Sequence, residues 1–315
     1  MSFRSLHAFV LVTTVAVVPA CGSGGDDMAD DDDDVAEVDA GGGGDIDAGG
    51  GGEFQSLITG EWTLPGGTED YRCVYKTIER DTYATAFRPV IPLGTHHTVL
   101  TIGPKNREDG VYTCNAGTNY GAQVYGSGVG TNALHLPDGI AVKLSAGDQL
   151  LLNLHLFNFA DTELIGTSGT EFVEVDAAEV DHIAEGFMVS KFDLLIPTGG
   201  ESVQSGACTL SQPTTLISVA PHMHMLGTHM KIVAQRSAGD ITLLDEPYEF
   251  DEQIVRLLPQ EVAMQAGDQI SIECTYNNTT GQAVRFGDSS NEEMCISGHF
   301  RYPAQDGGLF CNTGF

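Results

Sequence analysis

Two histidines stand one residue apart in the segment Pro221-His222-Met223-His224. The preceding residues, 215–219, are mostly β-branched or apolar and predict a strand. Alternate residues of a strand project from the same face, so His222 and His224 can reach one metal ion together. Thioethers occur nearby in the chain or later in it, at Met223, Met225, Met230 and Met294. Two imidazoles and one soft sulfur favour copper, particularly Cu(I), over zinc or calcium.

The four methionines are not equal candidates. Met223 lies on the strand face opposite the two histidines, where packing in the core is the better interpretation. Met294 lies in the polar segment Glu292-Glu293-Met294-Cys295, an unusual place for a packing residue. Packing therefore explains Met294 less well than it explains Met223.

A second group of histidines precedes these in the chain. His96 and His97 are adjacent, and neighbouring residues of a strand point to opposite faces. They can still meet at one ion where a strand ends or carries a β-bulge. His155 lies in the apolar run 150–157, where it could be either a buried core residue or a third ligand. Three imidazoles suit copper, zinc or iron.

The elements that must position these residues are short strands. From Phe54 onward, β-rich runs alternate with turns of Gly, Pro, Asn and Asp, and helical periodicity is almost absent. The phrase Ala-Gly-Asp-Gln precedes a strand at 146–149 and again at 266–269, which suggests one β architecture used twice. We predict an all-β chain of two tandem β-sandwich or jelly-roll domains, at 54–195 and 196–315, divided at a Pro/Gly break near Pro197.

The first 53 residues predict export rather than fold. Residues 1–21 have a thin basic start, an apolar stretch too short to span a membrane, and the sequence Val18-Pro19-Ala20-Cys21, which resembles a bacterial lipobox. Residues 22–53 hold 12 of the acidic residues and two glycine runs, and predict a disordered linker. We expect a lipoprotein anchored through Cys21, facing the periplasm or cell exterior, with no other contact to the membrane. The net charge of −30 argues against nucleic acid as a partner.

Six cysteines remain beyond Cys21, and an even number in an exported chain predicts disulfides. The absence of any Cys-x-x-Cys pair in the sequence weighs against zinc ribbons and thioredoxin-like chemistry. Two of the six lie in the first predicted domain, so Cys73 and Cys114 must pair if the halves are separate domains. The other four are Cys208, Cys274, Cys295 and Cys311.

Over residues 60–312 the chain resembles the type II copper, ascorbate-dependent monooxygenases, which include peptidylglycine alpha-hydroxylating monooxygenase and dopamine beta-monooxygenase. Four motifs match in order, and each carries part of a ligand set in that family. The residues are His96-His97, Asn153-Leu154-His155, His222-Met223-His224 and Glu293-Met294-Cys295. The resemblance implies one copper held by three histidines, and a second held by two histidines and Met294, on opposite walls of an interdomain cleft.

The resemblance also implies the disulfides Cys73–Cys114, Cys208–Cys311 and Cys274–Cys295. Tyr71 falls at a position where that family often has an aromatic residue. It implies hydroxylation of a C–H bond by O2, with ascorbate or a similar one-electron donor as reductant. The three-histidine copper would store an electron, and His222, His224 and Met294 would form the catalytic oxygen site.

The substrate does not carry over from the family. Peptide-amidating members bind a substrate carboxylate with an Arg before the His-x-His and with Asn and Tyr after the Met-Cys. Those positions are Ala220, Ile296 and Gly298 here, so we expect a small apolar or amine substrate instead. Glu292 and Glu293 could attract an amine, although solvated surface is the favoured interpretation. The alternative function is a copper-binding or copper-delivery lipoprotein without catalysis, which the clustered methionines would suit.

Overall fold

The computed structural model describes residues 52–311, except 129, 251–253, 288, 290 and 306–309. The predicted export signal, the lipidation site at Cys21 and nearly all of the linker lie outside these residues. Within them the regular secondary structure consists of strands and one 3-10 turn, at Ala177–Glu179, which confirms the all-β class. No helix of the described part is long and apolar enough to cross a membrane.

The first eleven strands precede residue 195. They are β1 (Gln55–Leu64), β2 (Glu69–Thr77), β3 (Thr82–Val90), β4 (Thr95–Pro104), β5 (Gly110–Thr113), β6 (Ala122–Gly128), β7 (Leu134–His135), β8 (Ile140–Leu144), β9 (Asp148–Phe157), β10 (Leu164–Val175) and β11 (His182–Ser190).

Nine more strands follow. They are β12 (Leu195–Ile196), β13 (Gly200–Thr209), β14 (Thr214–His222), β15 (Gly227–Gln235), β16 (Ile241–Pro247), β17 (Arg256–Met264), β18 (Gln269–Asn278), β19 (Val284–Arg285) and β20 (Ile296–Tyr302).

One large sheet carries strands from both predicted domains. Along it the order is β1-β10-β3-β8-β11-β6-β4-β9-β2-β5, and β20 pairs with both β11 and β14. The histidine-bearing strands β4, β9 and β14 therefore belong to one hydrogen-bonded system. A separate four-stranded sheet, β13-β18-β15-β16, packs in the second half.

Strand β11 joins the two halves. It pairs in parallel with β8, antiparallel with β20, and touches β6 at the single position Gly186. A Cβ at Gly186 would stand 2.6 Å from the carbonyl oxygen of Gln123, so only glycine permits this approach. Because β11 precedes residue 195 but pairs with β20, the boundary at 195/196 stays a prediction.

The described residues form two main hydrophobic cores, which fits the expected repetition of one architecture. One is built around Trp62, Phe87 and Tyr125, and the other around Phe187, Met230 and Tyr276. Burying a large apolar side chain stabilises the fold by about 1.5–3 kcal/mol. The two cores therefore give the strand ends that carry the histidines a rigid base.

Three disulfides brace the strands near the histidines, with the pairing that the family resemblance implies. Cys73–Cys114 ties β2 to the segment after β5, Cys274–Cys295 ties β18 to the residue after Met294, and Cys208–Cys311 ties β13 to the C-terminal segment. The paired cysteines indicate an oxidising, extracytoplasmic compartment.

Candidate metal centre

His96, His97 and His155 converge on one point at the end of β4 and β9. The β4–β9 register shifts between Thr95 and His97, so His96 is the extra residue of a β-bulge. The bulge lets adjacent histidines turn toward the same side. Nδ1 of His97 lies 3.0 Å from Nδ1 of His96 and 3.2 Å from Nδ1 of His155. The structure thus brings together the three histidines that the sequence singled out.

Burial prepares His97 and His155 to act as neutral nitrogen donors. Removal from water lowers the pKa of the His97 imidazole well below its usual value, and charge on His155 or His96 would lower it further. Burial also lowers the pKa of His155, although a hydrogen bond to Glu69 opposes that change. A neutral imidazole keeps the lone pair that a metal needs.

His155 is fixed by two neighbours on β2. Its Nε2–H donates to Oε1 of Glu69 at 2.5 Å, and the ring of Tyr71 stacks on it with centroids 4.5 Å apart and planes 2° from parallel. With Nε2 as the donor, the lone pair of His155 stands on Nδ1, which faces His97. The tautomer and the ring plane are therefore both set by β2.

His222, His224 and Met294 form a second group. His222 ends β14, His224 follows in the next turn, and Met294 stands two residues before β20. Nε2 of His222 lies 3.3 Å from Sδ of Met294. Nδ1 of His224 donates to the backbone carbonyl of Glu292 at 3.0 Å, which leaves the lone pair of that ring on Nε2.

Buried polar side chains hold this second group in place. The Glu293 carboxylate accepts hydrogen bonds from the backbone N–H groups of His224, at 2.8 Å, and Leu226, at 2.6 Å. The Tyr248 hydroxyl accepts from the backbone N–H of Met223 and donates to its carbonyl. The Tyr276 hydroxyl donates to the carbonyl of Met294 at 2.7 Å. The turn and the methionine are thus each tied to the core.

Glu293 corrects one expectation. We favoured a solvated position for it, but Glu293 is 0% exposed, whereas the neighbouring Glu292 is exposed. Burial raises the pKa of Glu293 to about 7, with the backbone hydrogen bonds opposing that change. The reason for burial is the demand of the backbone: two N–H groups of the histidine turn need an acceptor inside the protein.

Phe250 stands between the two groups. Its ring centroid lies 5.4 Å from that of His96 and 6.4 Å from that of His224, so these two imidazoles are no more than about 12 Å apart. Charge on His222 or His224 also contributes to the lowered pKa of His97. The two groups therefore face each other within electrostatic reach.

Three other methionines and two other histidines of the described residues lie in different surroundings. Met223 and Met230 are fully buried, which confirms the prediction that Met223 packs in the core, while Met225 is 62% exposed. His229 pairs with Asp245 near the surface, at 3.2 Å, and His299 is buried with its Nε2 2.7 Å from the Ser297 hydroxyl.

The separations between the donor atoms suit a metal ion. Nitrogen ligands about 2.0–2.1 Å from a tetrahedral ion stand roughly 3.3 Å from one another. The Nδ1 separations of 3.0 and 3.2 Å in the first group, and the 3.3 Å between Nε2 of His222 and Sδ of Met294 in the second, lie close to this spacing. Three imidazoles in one group, and a soft thioether beside imidazoles in the other, suit copper.

Sequence reasoning missed four of the residues that shape these groups. They are Glu69, Tyr248, Phe250 and Tyr276. A signal existed only for Glu69, because it stands two residues before Tyr71 on the same strand and must share its face. The other three reach the site from segments whose proximity depends on the tertiary fold.

Comparison with known proteins finds the family that the histidine and methionine motifs resemble. Residues 183–308 match the family described as copper type II ascorbate-dependent monooxygenase, C-terminal domain. Human DBH-like monooxygenase protein 1 is 30% identical over 185 residues, which cover 51% of this chain and 30% of that protein. Peptidyl-glycine alpha-amidating monooxygenase A of Xenopus laevis is 26% identical over 247 residues, covering 73% of this chain and 26% of that protein.

A chicken relative, DBH-like monooxygenase protein 1 of Gallus gallus, is 26% identical over 219 residues, which cover 63% of this chain and 35% of that protein. The chain thus matches between 26% and 35% of the length of these three relatives.

Proposed function

The chain belongs to the type II copper monooxygenase family, and on that premise we propose that it hydroxylates a C–H bond of a small organic substrate. The observation that carries the proposal is the pair of facing donor groups, one of three imidazoles and one of two imidazoles with Met294. O2 would be the oxidant, and ascorbate or a similar one-electron donor would be the reductant. Two bound copper ions would supply the one-electron redox chemistry that O2 activation requires.

His96, His97 and His155 would hold the first ion through Nδ1. His97 and His155 stand on paired strands, burial lowers the pKa of both imidazoles, and β2 fixes the ring of His155, so the geometry would need little rearrangement on binding. This preorganisation supports a site that stores and passes on an electron while its ligands stay in place.

His222, His224 and Met294 would hold the second ion, which would supply the chemistry toward O2. The thioether of Met294 would favour the reduced state of that ion, Cu(I). Glu293, Tyr248 and Tyr276 would keep the ligands oriented without touching the ion themselves.

The surroundings of the second group support a small apolar or amine substrate. Ile296 is buried in the pairing of β20 with β14, and Gly298 is paired with Ala220, so none of these positions offers a charge to a carboxylate. Glu293 is engaged with the backbone and would not attract an amine, whereas Glu292 is exposed and could. Phe250 adds an aromatic wall between the groups.

A copper-delivery role without catalysis is the competing function. Its support was the cluster Met223, Met225 and Met230, but two of these three methionines are fully buried in the core. Only Met225 among them is exposed enough to pass a metal ion to a partner. We further propose that the protein works outside the cytoplasm and is anchored through Cys21. Its disulfides support the location outside the cytoplasm.

The test is oxygen uptake by the copper-loaded protein with ascorbate and a panel of amines and aromatic compounds. We expect two copper ions per chain and a hydroxylated product that disappears in Met294→Ile. Met225→Ile makes the same change at the exposed methionine that follows His224; it is the matched control and should retain activity. Copper binding without substrate-dependent turnover across the panel would favour delivery, and one copper per chain would exclude the two-site mechanism.

A further inference from the structure

The outer nitrogen of His155, Nε2, points away from His97 and faces a carboxylate. Glu69 accepts from Nε2 at 2.5 Å, while the side chain of His155 is 4% exposed and that of Glu69 is 45% exposed. The Tyr71 hydroxyl reaches the same oxygen at 3.5 Å. A charged acceptor thus stands directly behind a proposed ligand.

Strand register creates this contact. In the antiparallel pair of β2 and β9, Tyr71 stands opposite His155 and Glu69 stands opposite Phe157. Glu69 and Tyr71 are two residues apart, so both project to the face on which His155 lies. Asp70 points to the other face, where it pairs with Arg72 at 2.6 Å. The arginine therefore neutralises Asp70 and leaves the charge of Glu69 for the histidine.

His224 in the second group has a different acceptor. Its Nδ1 donates to a neutral backbone carbonyl, that of Glu292, at 3.0 Å. A carboxylate behind a metal-bound imidazole increases the basicity of that ligand, and a more basic ligand favours the more highly charged metal ion. The acceptors behind His155 and His224 therefore differ in charge.

We propose that Glu69 is a positioning residue that, through His155, stabilises Cu(II) over Cu(I) at the three-histidine site. This inference rests on the proposed function, since it requires copper at that site. The hydrogen bond fixes Nδ1 as the ligand atom, and the negative charge lowers the reduction potential of the ion held there. A lower potential at this site directs electrons toward the site that contains Met294.

Two substitutions separate the hydrogen bond from the charge. Glu69→Gln keeps an acceptor oxygen at the same distance from the backbone but removes the charge, and Glu69→Ala removes both. Glu61→Gln removes an exposed carboxylate of β1, which pairs with β10, and is the matched control. All variants are studied as full-length, copper-loaded protein.

Copper affinities are measured by competition with chelators, and the potential of each ion by a redox titration followed by EPR. Loss of an outer partner commonly lowers metal affinity 10–100-fold. We expect Glu69→Gln to lose about tenfold in Cu(II) affinity with Cu(I) affinity unchanged, which raises the potential by about 59 mV. Glu69→Ala should show at least this shift, and Glu61→Gln none.

The outcomes distinguish a failure of this inference from a failure of the proposed function. If wild-type protein binds two copper ions but Glu69→Gln has an unchanged potential, the inference is wrong and the proposed function stands. Equal losses of Cu(I) and Cu(II) affinity would likewise overturn it, because they indicate orientation without tuning. A wild-type protein that binds no copper at the three histidines would overturn both.

Discussion

Replacing Glu293 with glutamine is expected to remove a pH-dependent loss of stability from the metal-free protein. Burial raises the pKa of this carboxyl from 4.5 to about 7, so the folded protein holds the proton more tightly than the unfolded chain does. Between these values the unfolded chain binds fewer protons than the folded protein. The free energy of unfolding contributed by Glu293 therefore falls as the pH rises through this window.

The magnitude follows from the displacement of the pKa. One pKa unit corresponds to about 1.4 kcal/mol, so moving the pKa of Glu293 from 4.5 to about 7 amounts to about 3 kcal/mol. Wild-type protein should lose this amount between about pH 4 and pH 8, whereas the neutral glutamine loses none. The difference in free energy of unfolding between the two proteins should shift by about 3 kcal/mol in favour of the variant.

Urea denaturation of both proteins at the two pH values measures this difference. His97, His155 and His299 have lowered pKa values, so their contribution to stability changes in the opposite direction, rising with pH as the unfolded chain releases its protons. Both proteins contain these histidines, and their contribution cancels in the difference. Glu292→Gln, on the exposed neighbour, is the control. For the control, the difference in free energy of unfolding from the wild type should stay constant with pH. The same constancy for Glu293→Gln would refute the reasoning.

Three further predictions concern the scaffold and the space between the sites. The Cys73–Cys114 disulfide closes a loop of 41 residues, so replacing both cysteines should lower the free energy of unfolding by about 4 kcal/mol. Peptide mapping of the unreduced wild-type protein should find Cys73 bonded only to Cys114. Phe250→Ala should change the copper–copper distance seen by pulsed EPR, because the ring contacts one histidine of each group, whereas the exposed Phe159→Ala should not; equal distances in both would contradict this. Glu185→Ala should lower stability by about 3–5 kcal/mol in thermal or urea denaturation, since Arg301, 2.7 Å away and 6% exposed, would keep an unpaired buried charge; a loss below about 1 kcal/mol would contradict it.

The candidate ligands could be predicted from the sequence because strand periodicity and motif order are local properties. The spacing of His222 and His224 predicted that both would project from one strand, but β14 ends at His222 and His224 lies in the turn that follows. Their rings still lie close together, with centroids 5.4 Å apart. The adjacent His96 and His97 require a bulge, which the structure contains. His155 remained ambiguous on spacing, since an apolar strand suits a core histidine equally well. Its role as a candidate depended on the family resemblance and on the register of β9 with β4.

The support of the ligands could not be predicted in the same way. Glu293 follows another glutamate in a polar segment, and nothing in its neighbours indicates that two backbone N–H groups of a distant turn need its carboxylate. Phe250 reaches the site because Tyr248, two residues earlier, is anchored on Met223. Such contacts join segments far apart in the chain, and only the assembled sheets define them.

The two donor groups are positioned by different physical means, and this difference bears on the proposed division of roles. His97 and His155 stand on central, paired strands, so backbone hydrogen bonds fix their spacing. His224 and Met294 stand on turns, where buried side chains hold the backbone instead. A site on paired strands resists rearrangement when its metal changes charge, which suits electron storage. A site on turns can adjust more readily than one on paired strands, which suits a step in which O2 and a substrate would have to bind.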